Sequence, residues 1–382
     1  MDLNVVVRGQ SNAFLLVSDD QGSVGSRALL DEVQRLLGFD GVNDRVLLDD
    51  WWQPGQNTIF GATAFIGDWV ARDANGAWQP QQYEQALLRN VSQNRPAAET
   101  AIVWLHNEYD GVYYPNLTVA EWESAVRADA ALVRGALGMD AASSPYVFVS
   151  AIPFPTANET ALQTIRAAME KLEADPGFNA DVGARALDVD MTFKFPFETT
   201  LTDYTYGLSH ISAQDAAVIG QRLARSLAEE WAEFAKPGSP VALAGGDIAS
   251  DGPKVVAATA ADADTLLVRV AHDQASGFAP LDAEATAGLG WAVGGASGPV
   301  YASGVQVLSA DTLQIDFQGA VPTDGLLYYG YGYGRLATTN QPGQGNAIYD
   351  NAGLPLWTPA TGVPIGAPAA AALASAEVSP IA

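Results

Sequence analysis

The chain has 382 residues, with 44 acidic against 19 basic side chains and a formal net charge of −25; that balance argues against a sequence-independent grip on nucleic acid, which needs cations to displace counterions, and against an anionic membrane surface. It has no cysteine and only three histidines (His106, His210, His272), which removes disulfides, thiolate nucleophiles and Cys-bound metal, and makes a His-rich metal centre unexpected. At 48% hydrophobic and 16% charged residues, with nine Trp, it is long enough for a large core and two or three domains.

No apolar run approaches the roughly 18 to 20 residues of a membrane helix. Met1 leads almost directly into a first strand, with no signal peptide in view. The expectation is a cytoplasmic protein, a mature exported form or part of a particle. The acidic, lysine-poor composition favours a bacterial extracellular, cell-surface or particle-associated setting.

Up to about Phe234, short apolar runs alternate with helical patterns. Strands are expected at Leu3–Arg8, Arg45–Leu48, Ala101–His106, Pro145–Ile152 and Ala186–Met191. Helices are expected at Ser26–Leu37, Tyr83–Gln93, Val119–Leu137, Glu159–Ala174 and Ala213–Phe234. In the last of these Ala217, Ile219, Leu223, Leu227, Trp231 and Phe234 recur near helical spacing. Ser212 with Asp215, and Thr118 with Glu121, have the spacing of N-terminal caps. Such alternation implies parallel strands joined by crossover helices, with ligands outside the carboxyl ends of the strands.

After Lys236-Pro237-Gly238-Ser239-Pro240 the texture changes. Strand-like runs recur at Lys254–Ala258, Thr265–Val270, Gly290–Val293, Thr312–Phe317 and Gly325–Tyr329, separated by turn residues. This pattern predicts an antiparallel β-sandwich. The expected division is an α/β domain over 1–236, a β-sandwich accessory domain over 237–363 and an Ala/Pro-rich tail over 364–382.

The candidate chemistry lies where expected strands end. The first strand runs into Arg8-Gly9-Gln10-Ser11-Asn12, where Gly9 permits a sharp turn and the following amides can face an oxyanion. Gly61-Ala62-Thr63 and Trp69 follow a second apolar region. Trp104-Leu105-His106-Asn107-Glu108-Tyr109-Asp110 closes the third strand, and Ser209-His210-Ile211-Ser212 precedes the last helix of the domain. One sheet edge would then carry a hydroxyl, amide donors and an imidazole.

This ordered set resembles the SGNH hydrolase superfamily over about residues 3–235. The closest resemblance is to carbohydrate O-acetylesterases of the sialate O-acetylesterase-like and acetylxylan esterase group. The resemblance implies a flavodoxin-like three-layer α/β/α domain and a serine esterase acting through an acyl-serine. The partner would be an acetylated carbohydrate or polysaccharide; no cofactor or metal is implied. Ser11 matches the nucleophile and His210 the general base. The Ser11 amide, the Gly61 amide and the Asn107 side chain would form the oxyanion hole. Gln10, Asn12, Trp69, His106 and Glu108 would contact substrate.

The sequence departs from the pattern in three places, one of them an apparent one-residue shift in Tyr206-Gly207-Leu208-Ser209-His210 against the usual D-G-x-H. His106 and Asn107 stand where the carbohydrate-esterase group has Gln and Gly. Asn107 is the better donor, since a neutral amide donates at any pH whereas His106 must hold the right tautomer. Gly207 stands three residues before His210, where the family has Asp. Asp203 is the nearest upstream acid; Glu108, Asp110 or a backbone carbonyl are the alternatives for orienting the imidazole.

Other features have plainer readings. His106, Trp69 and Trp104 also fit a core role, Asp110 fits a bond to loop amides, and His272 reads as structural. The run Tyr329-Gly330-Tyr331-Gly332-Tyr333-Gly334 fits either a sugar-holding edge or an inner strand passing close to the first domain. Turns carrying Asp247, Asp251, Asp262 and Asp264 lack calcium-loop spacing and read as solvated. Two other functions stay in view: a non-catalytic glycan-binding protein on an esterase scaffold, as in a phage-like particle or surface layer, and a lipase or thioesterase of the same superfamily.

Overall fold

The computed structural model describes residues 1–17, 23–50, 64–92, 97–106, 108–152, 159–189, 210–296, 298–331 and 347–366. The first strand, β1 (Asp2–Gly9), is buried along nearly its whole length, as a strand covered on both faces of a parallel sheet must be. Helices α1 (Ser11–Val17) and α2 (Val24–Leu37) lead to β2 (Arg45–Asp50). A small hairpin, β3 (Val70–Arg72) with β4 (Trp78–Pro80), and α3 (Gln82–Val91) precede β5 (Thr100–Leu105). Then follow α4 (Glu108–Tyr113), α5 (Val119–Leu137), β6 (Tyr146–Val149), α6 (Glu159–Glu173), β7 (Ala180–Ala184) and α7 (Ala213–Glu230).

The sheet has five parallel strands in the order β2-β1-β5-β6-β7. The chain steps from β1 outward to β2, then returns to the other side of β1 at β5. That reversal opens a crevice at the carboxyl ends of β1 and β5. Helices α2 and α7 pack closely: a Cβ on Gly220 would lie 2.4 Å from the Gly25 carbonyl oxygen. The expected caps form. Ser212 and Asp215 cap α7 reciprocally, and the Thr118 hydroxyl accepts from the Glu121 amide at 3.2 Å.

One expected strand is displaced. The fifth strand is β7, not Ala186–Met191. Within β7, Gly183 leaves no room for a Cβ, which would come within 2.5 to 2.6 Å of Ser226 and Val147. A Gly and an Asp inside five residues hid the strand. The apolar run after it is buried without being a strand: Ala186 and Val189 join the α/β core while Leu187 enters the apolar core of the second region. Residues 190 and 191 lie outside the described set.

The second region is not a sandwich. Its strands are β8 (Lys254–Ala260), β9 (Thr265–Ala271), β10 (Trp291–Gly294), β11 (Val300–Ser309), β12 (Thr312–Phe317), β13 (Leu326–Tyr329) and β14 (Val363–Gly366). They close into a barrel in the order β10-β11-β12-β9-β8-β14-β13. Closure depends on two strands that local pattern did not reveal. β14 pairs with both β13 and β8, and all but its first residue falls in the expected tail. β11 carries two register shifts, and such bulges increase the coiling a barrel needs. Trp291, Tyr329, Trp357, Leu313 and Ile315 fill the interior.

The barrel packs on the α/β layer through desolvated charge and stacking. Arg185 pairs with Glu173 and Asp251 while its guanidinium lies 3.5 Å from the Trp357 ring centroid. Asp188 accepts from Arg222 and from the Tyr349 hydroxyl, each at 2.7 Å. Tyr331 is buried under Arg166, 3.8 Å from ring centroid to guanidinium. Tyr329 and Tyr331 therefore belong to an inner strand end against the first domain. No helix among the described residues is long and apolar enough to cross a membrane.

Candidate active site

Gly9 ends β1 at φ +151°, and a Cβ there would lie 1.8 Å from the Leu105 carbonyl oxygen on β5. Only glycine allows β1 and β5 to run this close and the chain to turn at once into α1. Gln10 precedes the helix, and its carbonyl accepts from the Phe14 amide at 3.0 Å. Ser11 is the first residue of α1 and is partly exposed, whereas Gln10 and Asn12 on either side of it are buried.

The two buried amides are held by one carboxylate. Glu108, buried at the start of α4, accepts from Gln10 Nε2 at 2.5 Å and from Asn12 Nδ2 at 3.0 Å. The other end of the Asn12 amide reaches across 199 positions: its Oδ1 accepts from the Ile211 amide at 3.1 Å. The capping box at Ser212 fixes the backbone just beyond. Ser11 and His210 are thus each the immediate neighbour of a residue in that bond. His210, like Ser11, is partly exposed. Three segments meet at the β1/β5 crevice, pinned through Asn12 and Glu108.

Below this junction lies a charge cluster that sequence reasoning missed. Arg8 is fully buried. It bonds to Glu84 at 3.1 Å and pairs with Asp129, which also accepts from the Tyr146 hydroxyl at 3.1 Å. Its guanidinium lies 4.3 Å from the Trp104 ring and 4.6 Å from the Trp69 ring. Burial drives the Glu84 carboxyl well above the ordinary range, with Asp129 adding to the rise and Arg8 opposing it. The signal in the sequence was an arginine closing an apolar run, which a reading by hydropathy treats as a strand end.

Two expected substrate contacts are core residues instead. Trp69 is 0% exposed, packing on Tyr83, His106 and Arg8. His106 is 1% exposed, edge-on to Trp69 and Phe65. The Trp69 ring lies over the Arg8 guanidinium with Phe65 and Trp104, and His106 packs on those rings, so both go to packing. Asp110 does bond to a backbone amide, one 44 positions away in the chain. It accepts from the Ile66 amide at 3.1 Å and from Trp122 Nε1 at 3.2 Å, and burial pushes its carboxyl up to about 7.

Gly61, Asn107 and Asp203 lie outside the described residues. Among the described residues no cluster of three or more His, Asp or Glu is arranged to hold a metal ion. His272 bonds to the Ala310 carbonyl at 2.7 Å and lies edge-on to Phe278. Asp251 is engaged by Arg185, and Asp247 accepts from Gln274.

No protein-family model and no curated protein matches the chain. Solved structures do. A carbohydrate acetylesterase from Xanthomonas citri aligns over 93% of this chain and 79% of its own, at 13% identity and a TM-score of 0.54. A carbohydrate acetylesterase from Sinorhizobium meliloti aligns over 59% of this chain and 98% of its own, at 12% identity and a TM-score of 0.36. An aryl esterase of M. smegmatis aligns over 60% and 99%, at 13% identity and a TM-score of 0.35. The first likeness shows that this chain has an α/β esterase-type fold, with the alignment extending into the β-rich region.

Proposed function

We propose that the protein is a serine esterase that hydrolyses O-acetyl esters on a carbohydrate. The observation that carries the reading is the Asn12–Ile211 hydrogen bond, which sets the backbones bearing Ser11 and His210 side by side at the switch point of the sheet. Ser11 Oγ attacks the ester carbonyl while His210 takes its proton. The Ser11 amide, at the first position of α1, is one that a helix start leaves without an intrahelical acceptor. With the Gly61 amide and the Asn107 side chain it would face the tetrahedral oxyanion, each donor contributing about 3 to 4 kcal/mol to the barrier reduction. Collapse expels the sugar alkoxide, which takes the proton from His210. Water, deprotonated by His210, then releases acetate from the acyl-serine. Asp203 is the proposed orienting acid, and Gln10, Asn12 and Glu108 hold the turn around Ser11.

The carbohydrate assignment draws on the fold shared with the Xanthomonas acetylesterase. It draws nothing from Trp69 or Trp104, since both are buried. Ser11→Ala should abolish acetate release from acetylated xylan and from p-nitrophenyl acetate; unchanged release would overturn the proposal. A chain-length series of p-nitrophenyl esters separates this activity from that of a lipase or thioesterase, which would favour longer acyl groups. The second reading, a glycan-binding protein at a cell surface or in a particle, is favoured by Gly207 standing where the family has an acid. Binding of acetylated polysaccharide by the unmutated protein without acetate release would establish it.

A further inference from the structure

We infer that the pocket between α4 and α5 is a subsite for a neutral pyranose unit of the glycan that carries the ester, with Tyr113 as its stacking platform. The inference rests on the esterase reading and names the part of the substrate beyond the acetyl group. Helix α4 starts at Glu108, the carboxylate that clasps Gln10 and Asn12. Tyr113 is five residues further on, about 7.5 Å along a helix axis. Tyr113 is 54% exposed. The other comparably exposed aromatic among the described residues, Tyr301, is on the barrel. Tyr113 does not swing alone: the Tyr109 ring packs on it with centroids 5.5 Å apart and planes tilted by 34°.

Beside this ring is a pocket of about 270 Å³ lined by Tyr113, Tyr114, Pro115, Asn116, Leu117 and Glu121. That volume is just under the range for drug-sized ligands, about 300 to 1,000 Å³, and suits a single ring. Its walls are preformed. The Tyr114 amide donates to the Asp110 carbonyl at 2.9 Å, and the Leu117 amide to the Tyr114 carbonyl at 3.1 Å. The Tyr114 hydroxyl packs against the bare backbone of Gly67, where a Cβ would approach it to 2.5 Å. The pocket thus offers an apolar side made by Tyr113, Pro115 and Leu117 to the C–H face of a sugar. Asn116 and Glu121 offer an amide and a carboxylate to its hydroxyls. The carboxylate, on a chain of net charge −25, selects against uronic or sialic acids.

The test combines turnover with binding. Tyr113→Ala should raise KM for acetylated xylo- or gluco-oligosaccharides about tenfold more than it raises KM for p-nitrophenyl acetate, and Tyr113→Phe should restore most of the loss. By calorimetry, deacetylated neutral oligosaccharides should bind with a Kd weakened about tenfold by Tyr113→Ala. Oligogalacturonides should bind more weakly than neutral ones, with the gap narrowed by Glu121→Gln. Unchanged KM ratios and unchanged Kd in Tyr113→Ala would overturn the subsite. Tyr113-dependent oligosaccharide binding in a protein that releases no acetate from either ester would uphold the subsite and sink the esterase reading.

Discussion

Replacing Asn12 by Asp exchanges an NH2 for an oxygen at the point where the three segments of the site meet. The oxygen that accepts from the Ile211 amide can stay in place. The nitrogen that donates to Glu108 becomes a carboxylate oxygen 3.0 Å from another. At an effective dielectric constant of about 20, two unit charges at that separation repel by about 5.5 kcal/mol. Taking up a proton is cheaper. From an ordinary carboxyl pKa of ~3.9 it costs about 4 kcal/mol at pH 7 and about 1.5 kcal/mol at pH 5. The introduced carboxyl therefore has a folded pKa above its unfolded value. Its penalty is absent below about pH 4 and grows as pH rises toward the folded pKa.

The expected loss in urea unfolding, relative to the parent chain, is about 4 kcal/mol at pH 7 and about 1.5 kcal/mol at pH 5. Adding Glu108→Gln should recover most of it, because the introduced amide can donate to the new carboxylate while its carbonyl still accepts from Gln10. A variant as stable as the parent at pH 7, or a double variant no better than the single one, would refute the reading of Asn12 as the pin of the site. In the Asn12→Asp chain kcat should also fall, since misplacing reacting groups by about 1 Å can cost about 100-fold.

The buried cluster makes a second prediction. Arg8→Met leaves Glu84 and Asp129 without their cation and should cost about 3 to 5 kcal/mol in urea unfolding; adding Glu84→Gln and Asp129→Asn should return most of it, and a single-variant loss below about 1 kcal/mol would refute the ion-pair account. Asp110 predicts a pH dependence. Its carboxyl is raised by burial to about 7, so the stability it contributes is complete below about pH 4 and lost as pH rises through 7, by at most about 4 kcal/mol. Asp110→Asn should lower stability at pH 5 but flatten the fall in Tm between pH 5 and 8; parallel Tm curves for the two proteins would contradict the assignment.

Much of the α/β layer was legible in the residues themselves. Apolar runs such as Leu3 to Val7, broken only by Asn4, belong to strands buried on both faces, and α5 spans Val119–Leu137 as its cap and periodicity require. Both signals are local, so they survive without knowledge of the partners. The motif around Gly9 and Ser11 was legible for the same reason: a turn after a strand needs few neighbours to define it.

What the residues alone did not decide was which groups face one another. Trp69 looks like a ligand-binding ring until it is seen stacked on the buried Arg8, and His106 until it is seen packed on Trp69 and Phe65. Whether seven strands pair as two sheets or one barrel depends on β14 and β11, whose own sequences are weak and whose partners are distant. The hydrogen bond from Ile211 to Asn12 joins segments 199 positions apart. Composition and spacing determine elements, because a strand or helix is selected by its own side chains. Pairing, burial of charge and the assembly of a site belong to the tertiary structure, because each depends on the free energy of groups that the chain brings together only when folded.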